Sequence, residues 1–174
     1  RPEEMIKKEN NFAYIDGANL HKAVQELGWD LDYKRFRVWL LEKYGATKAY
    51  IFIGYMAGNQ NLYRSLQEYG YVLVFKPIII GDDEEPKGNI DADLVLQAMI
   101  DFHENQFDKA VVITSDGDFY SLVDYFYGKS KLSAVLSPSR AKCSSLLRKS
   151  AKERMMYLDN LRQKLEYDKR KSTA

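Results

Sequence analysis

The chain has 174 residues, 45% of them hydrophobic, and a formal net charge of +1, which suits one substantial domain with a normal core. One cysteine, Cys143, excludes an intramolecular disulfide and argues against a disulfide-framed secreted domain. No run is long enough to span a bilayer and no signal-like beginning is visible, so no membrane partner is expected and the cytoplasm is the expected compartment.

The polar opening, residues 1–11, reads as a loose lead-in. Phe12 to Ile15 is a short apolar run ending in Asp-Gly, as a buried first strand should, and Gly17-Ala-Asn enters a helix that Gly28 stops. Asp32 to Tyr44 predicts a second helix with Phe36, Trp39, Leu40 and Tyr44 on one face, closed by Gly45. Thr47 to Met56 predicts the second strand, Asn59 to Tyr69 a helix with Leu62 and Leu66 inward, and Tyr71 to Phe75 the third strand, with Pro77 to Ile80 as an extension. The stretch GDDEEPKGN, residues 81–89, has almost no apolar content and predicts an exposed, mobile loop.

Ile90 to Phe102 reads as a helix, Lys109 to Thr114 as the fourth strand, Phe119 to Phe126 as a helix and Lys131 to Leu136 as the fifth strand. A helix over Cys143 to Ser150 follows, then Met155 to Leu158 as a short edge strand and Asp159 to Tyr167 as a final helix. Strand and helix alternate throughout, and the strands lack strict polar alternation, so they are buried on both sides. The expected fold is α/β: a three-layer α/β/α, Rossmann-like arrangement around a mainly parallel sheet of about five strands. Residues 12–167 form its single domain, and residues 168–174 are a polar tail.

Five aspartates stand at the ends of three of these runs: Asp16, Asp91 and Asp93, and Asp116 and Asp118. Ligands of open α/β sheets bind beyond the carboxyl ends of the strands. One edge of the sheet therefore receives all five. An aspartate before glycine is commonly a turn former, and one at a helix start is commonly an N-cap. Three such sites, two of them doubled D-x-D pairs, weaken that ordinary reading. Clustered carboxylates repel one another unless a cation intervenes, and all-oxygen ligands favour Mg²⁺ or Mn²⁺. Such an ion activates water for attack on phosphorus, which points to phosphodiester chemistry.

Asn19, one turn beyond Asp16, and Ser115, before Asp116, are the polar neighbours expected to support that chemistry, against ordinary roles as helix-start and turn side chains. His21 and His103 lack a zinc-like spacing, and Cys143 has no histidine near it in sequence. Neither a phosphate-binding G-x-x-x-x-G-K-[ST] nor a G-x-G-x-x-G is present, and a G-x-S-x-G nucleophile elbow is absent too.

The segments Y-I-D-G-A-N-L (Tyr14 to Leu20), K-G-N-I-D-A-D-L (Lys87 to Leu94) and S-D-G-D-F (Ser115 to Phe119), in this order and spacing, resemble the NYN domain family, a branch of the PIN-like metal-dependent nucleases. The similarity runs from Phe12 to about Tyr167, and the stretches S-S-L-L-R-K and L-R-Q-K-L-E-Y are most similar to a bacterial subgroup of uncharacterised NYN proteins. The resemblance implies a Mg²⁺- or Mn²⁺-dependent ribonuclease whose products carry 5′-phosphate and 3′-hydroxyl ends. By motif position it implies Asp16, Asp91, Asp116 and Asp118 as the catalytic and metal-binding set, with Asn19 as the associated polar residue. Asp93 ranks behind these four, yet the motif spacing does not choose between Asp91 and Asp93 as the main ligand.

The small net charge hides a gradient that bears on the substrate. Residues 139–174 carry eleven Lys/Arg and four Asp/Glu, against fifteen and twenty-one in the remainder. A basic flank beside an acidic pocket suits an enzyme acting on a polyanion, although a solvated tail has the same composition. Lys87, Arg140, Lys142, Arg148 and Lys149 are the candidate RNA contacts, and Tyr120 beside the acids is a candidate for stacking on a base. The expected partners are an RNA substrate and a second copy in a homodimer. The alternatives are an RNA-binding or regulatory module with little or no cleavage, and a metal-dependent phosphatase. Against the latter, Gly-Ala-Asn follows Asp16 where the haloacid dehalogenase type has D-x-D-x-T.

Overall fold

The central apolar runs Asn11–Asp16 and Ala110–Ile113 become strands buried along their whole length, and the helices between the strands supply the covering layers. The computed structural model describes residues 8–55, 57–77, 79–80, 86–87 and 90–171. The strands are β1 (Asn11–Asp16), β2 (Ala46–Tyr55), β3 (Tyr71–Pro77), β4 (Ile79–Ile80), β5 (Pro86–Lys87), β6 (Ala110–Ile113), β7 (Leu132–Ser137) and β8 (Met155–Tyr157). The helices are α1 (Gly17–Glu26), α2 (Tyr33–Tyr44), α3 (Gln60–Glu68), α4 (Asp91–His103), α5 (Tyr120–Gly128), α6 (Ser145–Ala151) and α7 (Arg162–Leu165).

Six strands form one sheet in the order β3-β2-β1-β6-β7-β8, every neighbouring pair parallel. Strand order reverses between β1 and β6, the position at which open α/β sheets leave a crevice. Successive β1 side chains alternate between two cores, as the strand period demands. Phe12 and Tyr14 join Leu94, Ala98, Phe119, Phe126 and Leu147 under α4, α5 and α6. Ala13 and Ile15 join Leu20, Val24, Phe36, Leu40 and Leu66 under α1, α2 and α3. The sheet is therefore covered on both faces, as the unbroken apolar runs require.

Among the described residues the sheet has the five expected strands and, as a sixth, the expected edge strand, where Met155–Tyr157 pairs with Val135–Ser137. Several expectations shift. The chain is already ordered before Phe12: the Asn10 N–H donates to Asp108 Oδ2 at 2.7 Å and Glu9 pairs with Lys109 at 3.0 Å. Ile79–Ile80 does not prolong β3 but pairs antiparallel with Pro86–Lys87. The expected mobile loop therefore contains strand β5, and its residues 81–85 and 88–89 lie outside the described residues. In α3, Tyr63 and Leu66 are buried while Leu62 is exposed. The last helix is only Arg162–Leu165, after a 3₁₀ turn, because Glu166 instead bridges Leu31. Cys143 is a core residue beside Leu147, despite its serine-rich neighbours. Among the described residues no helix is long and apolar enough to cross a membrane.

The passage from β1 into α1 depends on Gly17. A Cβ there would lie 2.3 Å from Ile53 Cγ2 and 2.9 Å from the Phe52 carbonyl oxygen, so α1 starts in contact with the β2 backbone. Gly17→Ala is expected to destabilise the protein by about 1–3 kcal/mol through overpacking, read as a lower midpoint in urea unfolding. An unchanged midpoint would mean that α1 can retreat from β2 at no cost.

Candidate metal centre

Asp16 is the last residue of β1, and its extended backbone (φ −72°, ψ 95°) makes it the N-cap of α1. The carboxylate is nearly fully buried, 4% exposed, and both oxygens are held. Oδ1 accepts the Asn19 N–H at 3.2 Å, and Oδ2 accepts the Thr114 hydroxyl at 3.2 Å. Thr114, just past β6, also accepts the Asp116 N–H on its Oγ1 at 3.1 Å. This buried hydroxyl therefore ties the ends of the two central strands together. Sequence reading passed over Thr114, and the only signal was a hydroxyl closing the KAVVIT run.

Asp116 caps the 3₁₀ turn Gly117–Phe119, its Oδ1 accepting the Asp118 N–H at 2.9 Å. Asp91 opens α4. One carboxylate oxygen each from Asp16, Asp91 and Asp116 lie within 4.8 Å of one another, and among the described residues these three form the group suited to a metal ion. One side-chain bond holds α4 to β1: the Tyr14 hydroxyl of β1 donates to Asp101 Oδ2 at 2.7 Å, and the Gln97 amide, one turn earlier on α4, donates to Asp101 Oδ1 at 3.0 Å and orients the carboxylate. Burial, with Asp101 as acceptor, pushes the Tyr14 phenol far above its usual range, so it stays a donor.

Electrostatics gives the trio its character. Burial above all, then the charges of Asp91 and Asp116, raises the Asp16 pKa from 3.8 to about 6, against the lowering effect of the Asn19 N–H and the Thr114 hydroxyl. An all-carboxylate set with one buried member whose ionisation is opposed by burial and by its neighbours fits a hard divalent cation of the Mg²⁺ or Mn²⁺ kind, because such an ion removes the repulsion. No nitrogen or sulfur ligand stands in the group.

The other candidates fall in distinct places. Asp118 is exposed on the following 3₁₀ turn and is not part of the trio. Asp93 lines a different hollow, with Val74, Lys76, Leu96 and Ile100, between β3 and α4. The two-residue step along α4 turns Asp91 and Asp93 to different sides. Asp91→Ala is accordingly expected to abolish divalent-ion stabilisation, whereas Asp93→Ala should leave it within about 1 °C of the parent by thermal melting with Mn²⁺. Equal losses in both variants would contradict this division of roles.

Asn19 faces Ser115 across the switch point. Its Oδ1 accepts both the Ser115 N–H and the Ser115 hydroxyl, each at 3.0 Å. A backbone N–H can only donate, so the amide orientation is determined and Nδ2 remains the donor end. Of the basic candidates, Arg140 stacks on Tyr157 at 4.1 Å. Lys142 pairs with Glu26, Arg148 donates to the Cys143 carbonyl at 2.9 Å, and Lys149 is exposed. The backbone of Lys87 belongs to β5, while its side chain lies outside the described residues. Tyr120 is 45% exposed, at the start of α5 and two residues from Asp118. His21 and His103 are both exposed.

A parallel sheet with clustered carboxylates at its switch point defines an α/β domain carrying an acidic pocket. The NYN domain model matches residues 13–159, and the chain belongs to the NYN domain family, which is nuclease-like. The crystal structure of a protein of unknown function from Vibrio parahaemolyticus is similar, with a TM-score of 0.74 at 20% identity over 92% of this chain and 97% of that one; it shares the fold. No curated protein matches the sequence significantly.

Proposed function

We propose that the protein is a divalent-metal-dependent ribonuclease that hydrolyses RNA phosphodiester bonds in the cytoplasm, using Mg²⁺ or Mn²⁺ at Asp16, Asp91 and Asp116. The observation that carries this reading is the convergence of three carboxylate oxygens within 4.8 Å at the switch point of a nuclease-like fold. When bound, the ion supplies Lewis-acid polarisation of the phosphoryl oxygen and lowers the pKa of water.

The chain's own groups do the rest. Asp16 is held rigid by its two hydrogen bonds, so it presents a fixed anionic face. Asn19, locked by Ser115, offers Nδ2 as a hydrogen-bond donor to a non-bridging phosphate oxygen. Asp118, exposed on the next turn, takes the proton of the attacking water at its carboxylate. In-line attack leaves 5′-phosphate and 3′-hydroxyl ends. The cations near the basic flank (Arg140, Lys142, Arg148, Lys149) and Lys87 contribute to attraction of the RNA.

Incubating the protein with labelled RNA, labelled DNA and a small phosphate monoester, each with Mn²⁺, Mg²⁺ or EDTA, tests the reading. Metal-dependent cleavage of RNA, abolished by EDTA, is the expected result. Tight RNA binding without cleavage would replace it with a binding module, and turnover of the monoester alone with a phosphatase.

A further inference from the structure

A hollow of about 380 Å³ opens directly beside the acids, between α1 and the turn that leads into α6. Asp116 stands at one end, and Asn19, Lys22, Glu26, Lys142 and Ser144 line it. Its contents are unlike those of the acidic trio. Lys22 and Glu26 are one turn apart on α1, and Lys142 reaches across from the other wall to pair with Glu26. Lys142 and Lys22 hold the Glu26 carboxyl below its ordinary range, so it is an anion seated between two ammonium groups.

The opposite wall is tied to the centre by backbone. The Ser144 N–H donates to the Ser115 carbonyl at 3.1 Å. A Cβ on Gly117 would lie 2.3 Å from Ser144 Oγ, so the turn bearing Asp116 packs against Ser144 with no room to spare. Ser144 Oγ accepts the Leu146 N–H and keeps its own proton to donate. The hollow containing Asp93 is walled, among the described residues, by Val74, Leu96 and Ile100, with Lys76 and Asp93 as its charged groups. A polyanion that reaches the acids therefore meets two lysines on the α1 side, for which Glu26 competes in the free protein.

We propose that this hollow holds one unpaired nucleotide of a single-stranded RNA next to the cleaved linkage, with its phosphate between Lys22 and Lys142, displacing Glu26 from Lys142. The volume is at the small end of ligand sites and has room for one nucleotide. A base in a duplex cannot leave its stack to enter such a hollow without the cost of unpairing. Glu26 is thus an internal competitor: it occupies the cationic site in the free protein and weakens binding of a phosphate there. The inference rests on the proposed ribonuclease reading but concerns binding, which is measurable without turnover.

The test is fluorescence anisotropy with a labelled single-stranded oligoribonucleotide in EDTA, where no metal-dependent cleavage occurs. Lys22→Ala and Lys142→Ala should each weaken binding by about threefold to tenfold, each reducing the salt slope by about 0.7. Glu26→Gln should tighten binding by about threefold, and an RNA duplex of the same length should compete poorly. All three side chains are exposed, so loss of fold is not the expected cause of any change, and equal melting temperatures verify this. Unchanged affinity in both lysine variants, weaker binding in Glu26→Gln, or equal competition by duplex overturns the proposal. Cleavage with unaltered KM in Lys22→Ala and Lys142→Ala would remove the hollow while leaving the ribonuclease standing. The expected binding changes without cleavage under any metal would do the reverse.

Discussion

Asp116→Asn is expected to lower metal-dependent RNA cleavage by at least about a hundredfold, and Asp16→Asn to do the same. The substitution is nearly isosteric. An asparagine at 116 still offers an oxygen to the Asp118 N–H, and one at 16 can still accept from Asn19 or Thr114, so the turns keep their local bonds. What disappears is one of the three negative charges converging within 4.8 Å, and with it much of the attraction for a divalent ion. The diagnostic feature is the direction of the stability change in EDTA. A residue retained for packing would cost stability when altered, whereas Asp16→Asn removes a buried charge repelled by Asp91 and Asp116 and should preserve or raise the melting temperature. Full cleavage activity in both variants would rule out the trio as the metal site.

The second large effect is a pH dependence opposite to that of an ion-paired carboxylate. Burial and the neighbouring carboxylates raise the Asp16 pKa from 3.8 to about 6 in the folded protein. The folded state therefore binds more protons than the unfolded state between those values, and stability falls as pH rises through that window. The contribution is fully present below about pH 4, is lost by somewhat above pH 6, and amounts to about 3 kcal/mol at most. Divalent ions should restore what is lost: Mn²⁺ should raise the melting temperature strongly above pH 6 and weakly at pH 5, where protons compete for Asp16. Glu9, Glu26, Glu153 and Glu166, whose pKa values are lowered, act in the opposite sense at low pH. The informative quantity is thus the difference between the parent and Asp16→Asn in urea unfolding from about pH 4.5 to about pH 7.5, in EDTA. Parallel curves would show that Asp16 does not retain its proton.

Much of the architecture was legible because burial on both faces leaves a simple mark. Runs such as FAYI and AVVI have no polar face, and the glycines at 28, 45 and 70 end their helices with positive φ. The edge was less clear. Met155–Tyr157 is a three-residue strand with little burial, so its apolar signal is short, and α7 stops early because Glu166 is drawn into a bridge with Leu31 from a distant segment. Leu62 and Tyr63 exchanged roles for a similar reason: Tyr63 rests against Phe75 of β3 at 4.8 Å, a partner that helical periodicity does not reveal.

At the candidate site, the sequence by itself placed Asp16 and Asp116 on one edge of the sheet, because each closes an apolar run and parallel strands end on one edge; the pairing of β1 with β6 in the tertiary structure makes them neighbours. It also determined the hard-oxygen character of the ligands, since neither histidines nor the cysteine fall among them. Only the tertiary structure separated Asp91 from Asp93 and set Asp118 outside the trio, because those assignments depend on how α4 and a 3₁₀ turn are rotated against the sheet. It alone revealed Thr114 as the hydroxyl joining β1 to β6, and the hollow shared by Lys22, Glu26 and Lys142. Glu26 and Lys142 lie 116 positions apart in the chain, and a charge pairing across that separation is set by the packing of α1 beside the turn before α6, which no local pattern encodes.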